Sequence, residues 1–137
     1  MEYITIPGQP ISKKRPRFAR RGNHVVTYND QMTEESRFLF EFQKRWLNKP
    51  LKGPVCVELV FYMKRPKSHY GTGKNGNIKK KSAPVYHTKK PDIDNLKKFV
   101  FDALNQSAWE DDSQIYKVFA RKAYSKEPRT EIIIQEM

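Results

Sequence analysis

The chain of 137 residues contains one cysteine, Cys56. That excludes an intrachain disulfide, a zinc finger and any cysteine-rich metal site, and leaves Cys56 to read as a buried strand residue. Long apolar runs are also missing. No stretch approaches the roughly 20 residues of a membrane-spanning helix, and Met1-Glu-Tyr-Ile-Thr-Ile-Pro7 lacks the basic start and apolar core of a secretory leader. The expectation is a soluble, unsecreted protein without a membrane partner. Acid is the third scarcity: 15 Asp and Glu stand against 27 Lys and Arg, a net charge of +12. Such a surplus favours an anionic polymer as partner, nucleic acid ahead of anionic membrane. A phosphate-binding P-loop is absent too, because the glycines around Lys74 are not followed by Gly-Lys-Ser/Thr between a strand and a helix.

What acid there is gathers in one place. Asp92-Ile-Asp94-Asn95-Leu96-Lys97-Lys98 opens an amphipathic segment, and Glu110-Asp111-Asp112 follows it closely. With Asp94 as N-cap, Leu96, Phe99, Val100, Ala103 and Leu104 fall at the spacing of one buried helical stripe, and Asp94 and Lys98 share the opposite face. Asp92 follows Pro91 in an extended approach, so its side chain points to the same side as that of Asp94. Clustered carboxylates in a basic protein that meets phosphates have a reason to exist: they hold a hard divalent cation such as Mg²⁺, which needs only one or two of them plus water and substrate phosphate. Taken singly, Asp94 is equally an ordinary helix cap, and Asp111 or Asp112 an ordinary turn residue.

Along the chain, residues 3–6 read as a first strand, ended by Pro7-Gly8-Gln9-Pro10. A basic arm follows with Lys13, Lys14, Arg15, Arg17, Arg20 and Arg21 around Pro16 and Phe18, suited to phosphate contacts or simply solvated. Gly22-Asn23 turns the chain into an extended 24–28. A helix capped by Asn29 or Asp30 is expected to run to about Leu47, its many aromatics serving the core or a subunit interface. Residues 55–63 alternate as the clearest strand, central in its sheet. Residues 64–90 contain no acid and read as a long mobile loop that presents Lys74, Lys79, Lys80, Lys81, Lys89 and Lys90 to nucleic acid. Residues 114–124 and 129–136 are expected to be strands of a hairpin, with Ile132 to Ile134 in a buried strand. The prediction is a single α+β domain over 1–137, a mixed sheet packed by two helices.

The run Asp92-x-Asp94-Asn95-Leu96-x-Lys98, then Phe101-Asp102-Ala103-Leu104, then Trp109-x-Asp111-Asp112-x-Gln114-Ile115 resembles the signature of the RusA family of Holliday junction resolvases. The arm, with Gly8-x-Pro10 and Lys14-Arg15-Pro16-Arg17, is similar to that of phage and prophage members. The resemblance implies a cytoplasmic, bacterial or phage-encoded homodimer that uses Mg²⁺, or Mn²⁺ in its place, to make paired nicks in four-way DNA junctions during recombination and repair. It places the catalytic and metal-holding aspartates on Asp92, Asp94 and Asp112, with Asp111 able to trade places with Asp112, and the helix lysine on Lys98. By spacing alone Lys98 could instead pair with Asp94 or Asp102. Phe101, near Asp94 in helical projection, is a candidate for the dimer surface or the junction centre, or else a contact of the long loop. His24, His69 and His87 receive no catalytic role. The rival readings are a non-catalytic nucleic-acid-binding protein, which leaves the aspartates unexplained, and a metal-dependent nuclease with another DNA or RNA substrate.

Overall fold

The computed structural model describes residues 1–15, 17–28 and 31–137, with side chains at all of these except 17, 18 and 26–28. The caps expected at Asn29 or Asp30, and Pro16 of the arm, lie outside the described residues. The elements are β1 (Glu2–Pro7), β2 (Arg17–Arg21), β3 (His24–Tyr28), α1 (Met32–Gln43), β4 (Val55–Lys64), α2 (Ile93–Leu104), β5 (Ile115–Ser125) and β6 (Arg129–Glu136). The chain is α+β, as its patterning predicts: a mixed four-stranded sheet in the order β1-β6-β4-β5, a separate β2-β3 ribbon and two helices. In β4 the alternation works as expected. Val55, Val57, Leu59, Phe61 and Met63 are buried, because every second side chain of a strand points to one face. They meet the α2 stripe of Leu96, Phe99, Val100, Ala103 and Leu104, all buried, and Ile4, Ile6, Ile132 and Ile134 extend the same core. Phe38 of α1 stands edge-on to Phe99 of α2, ring centroids 5.5 Å apart. Ile133, between two buried isoleucines, faces away and is only half-buried.

Five expectations need correction. Cys56, read as a buried strand residue, is only half-buried, because it falls between Val55 and Val57 in the alternation of β4. The last two strands are not a hairpin: β4 lies between them, parallel to β5 and antiparallel to β6. Three residues suffice for this, since the connection need cross only one strand, about 9 to 10 Å. Helix α1 stops at Gln43 rather than near Leu47. There the amides of Arg45 and Trp46 both turn back to the Phe42 carbonyl, and the Trp46 ring stacks on Phe42 at 5.4 Å. Burying that indole ends the helix and leaves Leu47 on the surface. Helix α2 begins earlier than expected, with Asp92 rather than Asp94 at the N-cap. Finally, residues 64–90 are folded rather than a free loop. Tyr70 bridges Lys79, two 3₁₀ turns cover Lys67–His69 and Gly73–Asn75, and residues 85–87 lie along the end of β5 through bonds from Tyr124 N–H to the Val85 carbonyl and from His87 N–H to the Lys122 carbonyl. Composition hid this, because the order comes from Arg65, His69 and His87 gathering on the Tyr124 ring of a distant strand.

Candidate active site

Asp92 occupies the N-cap of α2 in extended conformation, and its carbonyl accepts the amides of Asn95 and Leu96 at 3.2 Å each. Its carboxylate makes no capping bond. Asp94 sits in the first turn with its side chain 86% exposed, paired loosely with Lys97 at 3.4 Å. Negative charge is favoured at this helix end, and an exposed pair of this kind contributes at most about 1 kcal/mol. The entrance therefore carries two carboxylates with little claim on them. Lys98, one turn on from Asp94, is exposed and forms no ion pair among the described residues. The pairings that spacing allowed are taken by others, Asp94 by Lys97 and Asp102 by Lys13 at 3.2 Å. From the sheet, Lys122 Nζ donates to the carbonyls of Lys89 at 2.7 Å and Pro91 at 2.8 Å, tethering the segment that delivers Asp92.

The second acid group lies at the other end of α2. Residues 108–110 run beside Leu51, with Leu51 N–H to the Ala108 carbonyl and Glu110 N–H to the Leu51 carbonyl, and Gln114 Nε2 donates to the Leu51 and Gly53 carbonyls. This packing buries Trp109 completely, edge-on to Phe101 at 5.9 Å. Phe101 is thus a neighbour of Trp109 and packs against the core. The indole N–H donates to Asp112 Oδ1 at 2.7 Å. Burial pushes the Asp112 carboxyl above its ordinary value; the Trp109 bond pulls it down, and the charges of Asp102 and Asp111 push it up again. Asp111 is used differently. Its carboxylate accepts the Ser113 amide at 3.0 Å while Gln114 reaches back to the Asp111 amide at 2.8 Å, a reciprocal cap, and the Ser113 bonds hold its carboxyl below the ordinary value.

One chain does not bring all three expected aspartates together. Asp112 feels the charge of Asp102, which stands eight residues along α2 from Asp94, about 12 Å at 1.5 Å per residue. A Mg²⁺ ion holds its oxygens at about 2.0 to 2.1 Å. Among the described residues no three His, Cys, Asp or Glu side chains gather as a metal group. Asp92 and Asp94 suit such an ion in donor chemistry, as hard and largely uncommitted oxygens.

The basic residues divide by position. Lys13 is held inside, its ammonium bonded to Glu35 of α1 and Asp102 of α2 and its amide to the Asn95 carbonyl at 2.9 Å. Burial opposes its charge, but the two carboxylates outweigh that and raise its pKa above the ordinary value. It is a tie between helices rather than a phosphate contact. Lys14, Arg15, Arg20, Arg21, Lys74, Lys79, Lys80, Lys81, Lys89 and Lys90 are exposed. Arg17 belongs to β2, paired with Tyr28 of β3 in a ribbon that turns at Gly22 with φ +61°, the left-handed conformation glycine adopts without strain.

Sequence reasoning missed the residues that hold these groups. Gln31 is fully buried and clamps the root of the arm, accepting the Lys14 amide at 2.6 Å and donating to the Ser12 carbonyl at 2.8 Å. A glutamine before a helix carries no signal of such a role, and neither does Lys122 in a strand. His69 and His87 flank Tyr124 at centroid distances of 4.7 and 5.0 Å. Burial lowers the pKa of His69, with Arg65, Lys80 and Lys89 adding to it; burial lowers that of His87, with Lys122 adding and its own backbone bond opposing. Both imidazoles bind protons less readily in the folded state. Their contribution to stability is full above the unfolded value near 6.5 and is lost as pH falls through the lowered folded values. The urea midpoint is therefore expected to drop between pH 7.5 and 5.5, and to drop less in His69→Phe/His87→Phe. An equal drop in that double variant would place the pH dependence elsewhere.

The sequence model of a family described as Endodeoxyribonuclease RusA matches residues 7–135. The chain is also similar to the uncharacterized protein YqaN of Bacillus subtilis, strain 168, with 33% identity over 137 positions that cover 98% of this chain and 95% of that protein. No helix among the described residues is long and apolar enough to cross a membrane.

Proposed function

The chain belongs to the RusA endodeoxyribonuclease family, and from that premise we propose that it resolves four-way DNA junctions by magnesium-dependent paired nicking, working as a symmetric homodimer in recombination and repair. Membership makes it an endodeoxyribonuclease. The observation that carries the finer reading is the entrance of α2: Asp92 stands at a cap position without capping, and Asp94 is exposed beside it. A purely binding protein of net charge +12 gains nothing from such carboxylates next to DNA.

In this reading Asp92 and Asp94 hold magnesium against the scissile phosphate and Asp112 completes the donor set, with Mn²⁺ able to replace Mg²⁺. The ion, when bound, supplies a nucleophilic water and offsets charge on the departing oxygen. Lys98, unpaired among the described residues and one turn from Asp94, contacts the phosphate. Lys122 keeps Asp92 in place, and the exposed arginines and lysines of the ribbon and of residues 64–90 bind the backbone of the arms.

The separation of Asp112 from Asp94 supports a site shared between two copies, since a two-fold axis presents the α2 entrance of one chain and the Trp109 end of the other.

The test is incubation with four-way junction, duplex, single-stranded DNA and RNA, each with Mg²⁺ and with EDTA. Junction-selective nicking that needs the metal is expected; equal cutting of RNA or plain duplex would overturn the assignment. Lys98→Ala is expected to slow single-turnover cleavage by about 10²-fold, the scale set by one preorganised electrostatic interaction. An unchanged rate would leave Lys98 a solvated helix lysine.

A further inference from the structure

A second basic site stands apart from the α2 entrance, in a cleft of about 410 Å³ lined by Lys64, Arg65, Lys67, Tyr70, Gly76, Asn77 and Lys126. It assembles from three parts of the chain: the end of β4, the folded stretch 64–90 and the β5–β6 connection. Four cations line it and, among the described residues, no carboxylate does. None of the four forms an ion pair among the described residues, although Glu127 adjoins Lys126 in sequence. Like charges gathered without counter-charge repel one another, and an anion in the cleft removes that cost.

Arg65 makes this a built site rather than a chance of surface charge. It is only 9% exposed, and its guanidinium lies over the Tyr124 ring at 5.3 Å. Its Nη1 donates to the Pro84 carbonyl at 2.7 Å and stands 3.3 Å from His69 Nδ1. Its Nε and Nη2 have no protein acceptor among the described residues. The remaining donors of the guanidinium suit phosphate oxygens, and Lys67 and Lys126 stand exposed at the rim.

We infer that this cleft binds a backbone phosphate of the DNA arm leaving the active site, a few nucleotides from the phosphate held at Asp92 and Asp94; the distance rests on the function proposed above. Both sites lie at the same end of the sheet. Lys122 of β5 touches the Pro91 carbonyl, and Lys126 follows four residues later, about 13 Å along an extended chain. With one strand rising about 3.4 Å per nucleotide, that is about four steps of duplex. A fixed contact there sets the angle at which the arm leaves the branch.

The experiment measures DNA affinity in EDTA, so it does not depend on cleavage. Junctions carry a single neutral methylphosphonate at each of the first eight positions from the branch point and are titrated with the parent and with Lys67→Gln/Lys126→Gln. Arg65 is left intact because its packing on Tyr124 serves the fold. The double variant is expected to bind about tenfold more weakly, the scale of a charge-assisted hydrogen bond, and to flatten the slope of log K against log salt by roughly 0.9 for each phosphate that it no longer neutralises. In the parent one position three to six nucleotides out is expected to be sensitive, and that sensitivity is expected to vanish in the variant. Equal sensitivity of both proteins at every position would overturn the assignment. So would unchanged DNA binding with weaker competition by inorganic phosphate, which would make the cleft a free-phosphate site. If the phosphate scan behaves as expected but no junction is cut, the cleft stands and the proposed function falls.

Discussion

Asp92→Asn, Asp94→Asn and Asp112→Asn are each expected to reduce Mg²⁺-dependent junction cleavage to below about one-thousandth of the parent rate, a larger effect than removing a single electrostatic interaction usually has, while junction binding stays level or tightens. The expected tightening follows from charge: each change removes a negative group from a surface that meets phosphate. Asparagine keeps the shape and one acceptor oxygen but not the charge that holds a hard cation. Asp111→Asn supplies the contrast, because its carboxylate is already engaged by the Ser113 amide as a cap. It is expected to keep the cap, since asparagine accepts the same amide about as well as aspartate, and to leave the rate of folded protein near that of the parent. Single-turnover rates together with gel-shift affinities read both effects. Parent-like cleavage in the three asparagine variants would remove them from the chemistry.

Mixing two inactive proteins is expected to restore activity. If the α2 entrance of one chain works with the Trp109 end of the other, a mixed dimer of Asp92→Asn and Asp112→Asn has one site carrying both changes and one carrying neither. Cutting should return from background to about half the parent rate per mixed dimer, and on one strand only. Asp94 and Asp102, whose charge acts on Asp112, stand about 12 Å apart along α2. Sites complete within one chain would each keep one defect, and the mixture would stay silent. Co-expression with two different tags, followed by purification of the doubly tagged species, isolates the mixed dimer. A silent mixture of confirmed mixed dimers would return Asp112 to its own chain's site.

The α2 stripe and β4 were legible in the sequence because each rests on a local periodicity, and the structure follows both. The aspartate motif was legible as residue types at fixed spacing. Where its members stand was not, since Asp92 and Asp112 are set apart by the length of a helix whose direction relative to β5 no pattern encodes. The same reason hid the interposition of β4 between β5 and β6. Residues 64–90 look like a loop because lysine, glycine and asparagine dominate them, and their order comes from a few long-range contacts: Arg65, His69 and His87 on Tyr124, and Lys122 on the Lys89 and Pro91 carbonyls. Lys13 misled for the opposite reason, being a basic-arm residue whose charge is used inside the protein.

A supercoiled plasmid that extrudes a cruciform reads out whether both strands are cut within one binding event. Two like-polarity strands must be cut to resolve the branch, and relaxation after the first nick reabsorbs the cruciform unless the second cut follows within the same binding event. A two-fold dimer carrying two sites is expected to convert the plasmid to linear product with Mg²⁺ and to leave it intact in EDTA. Nicked circles as the main product, together with a monomeric mass by sedimentation at the cleavage concentration, would contradict the account.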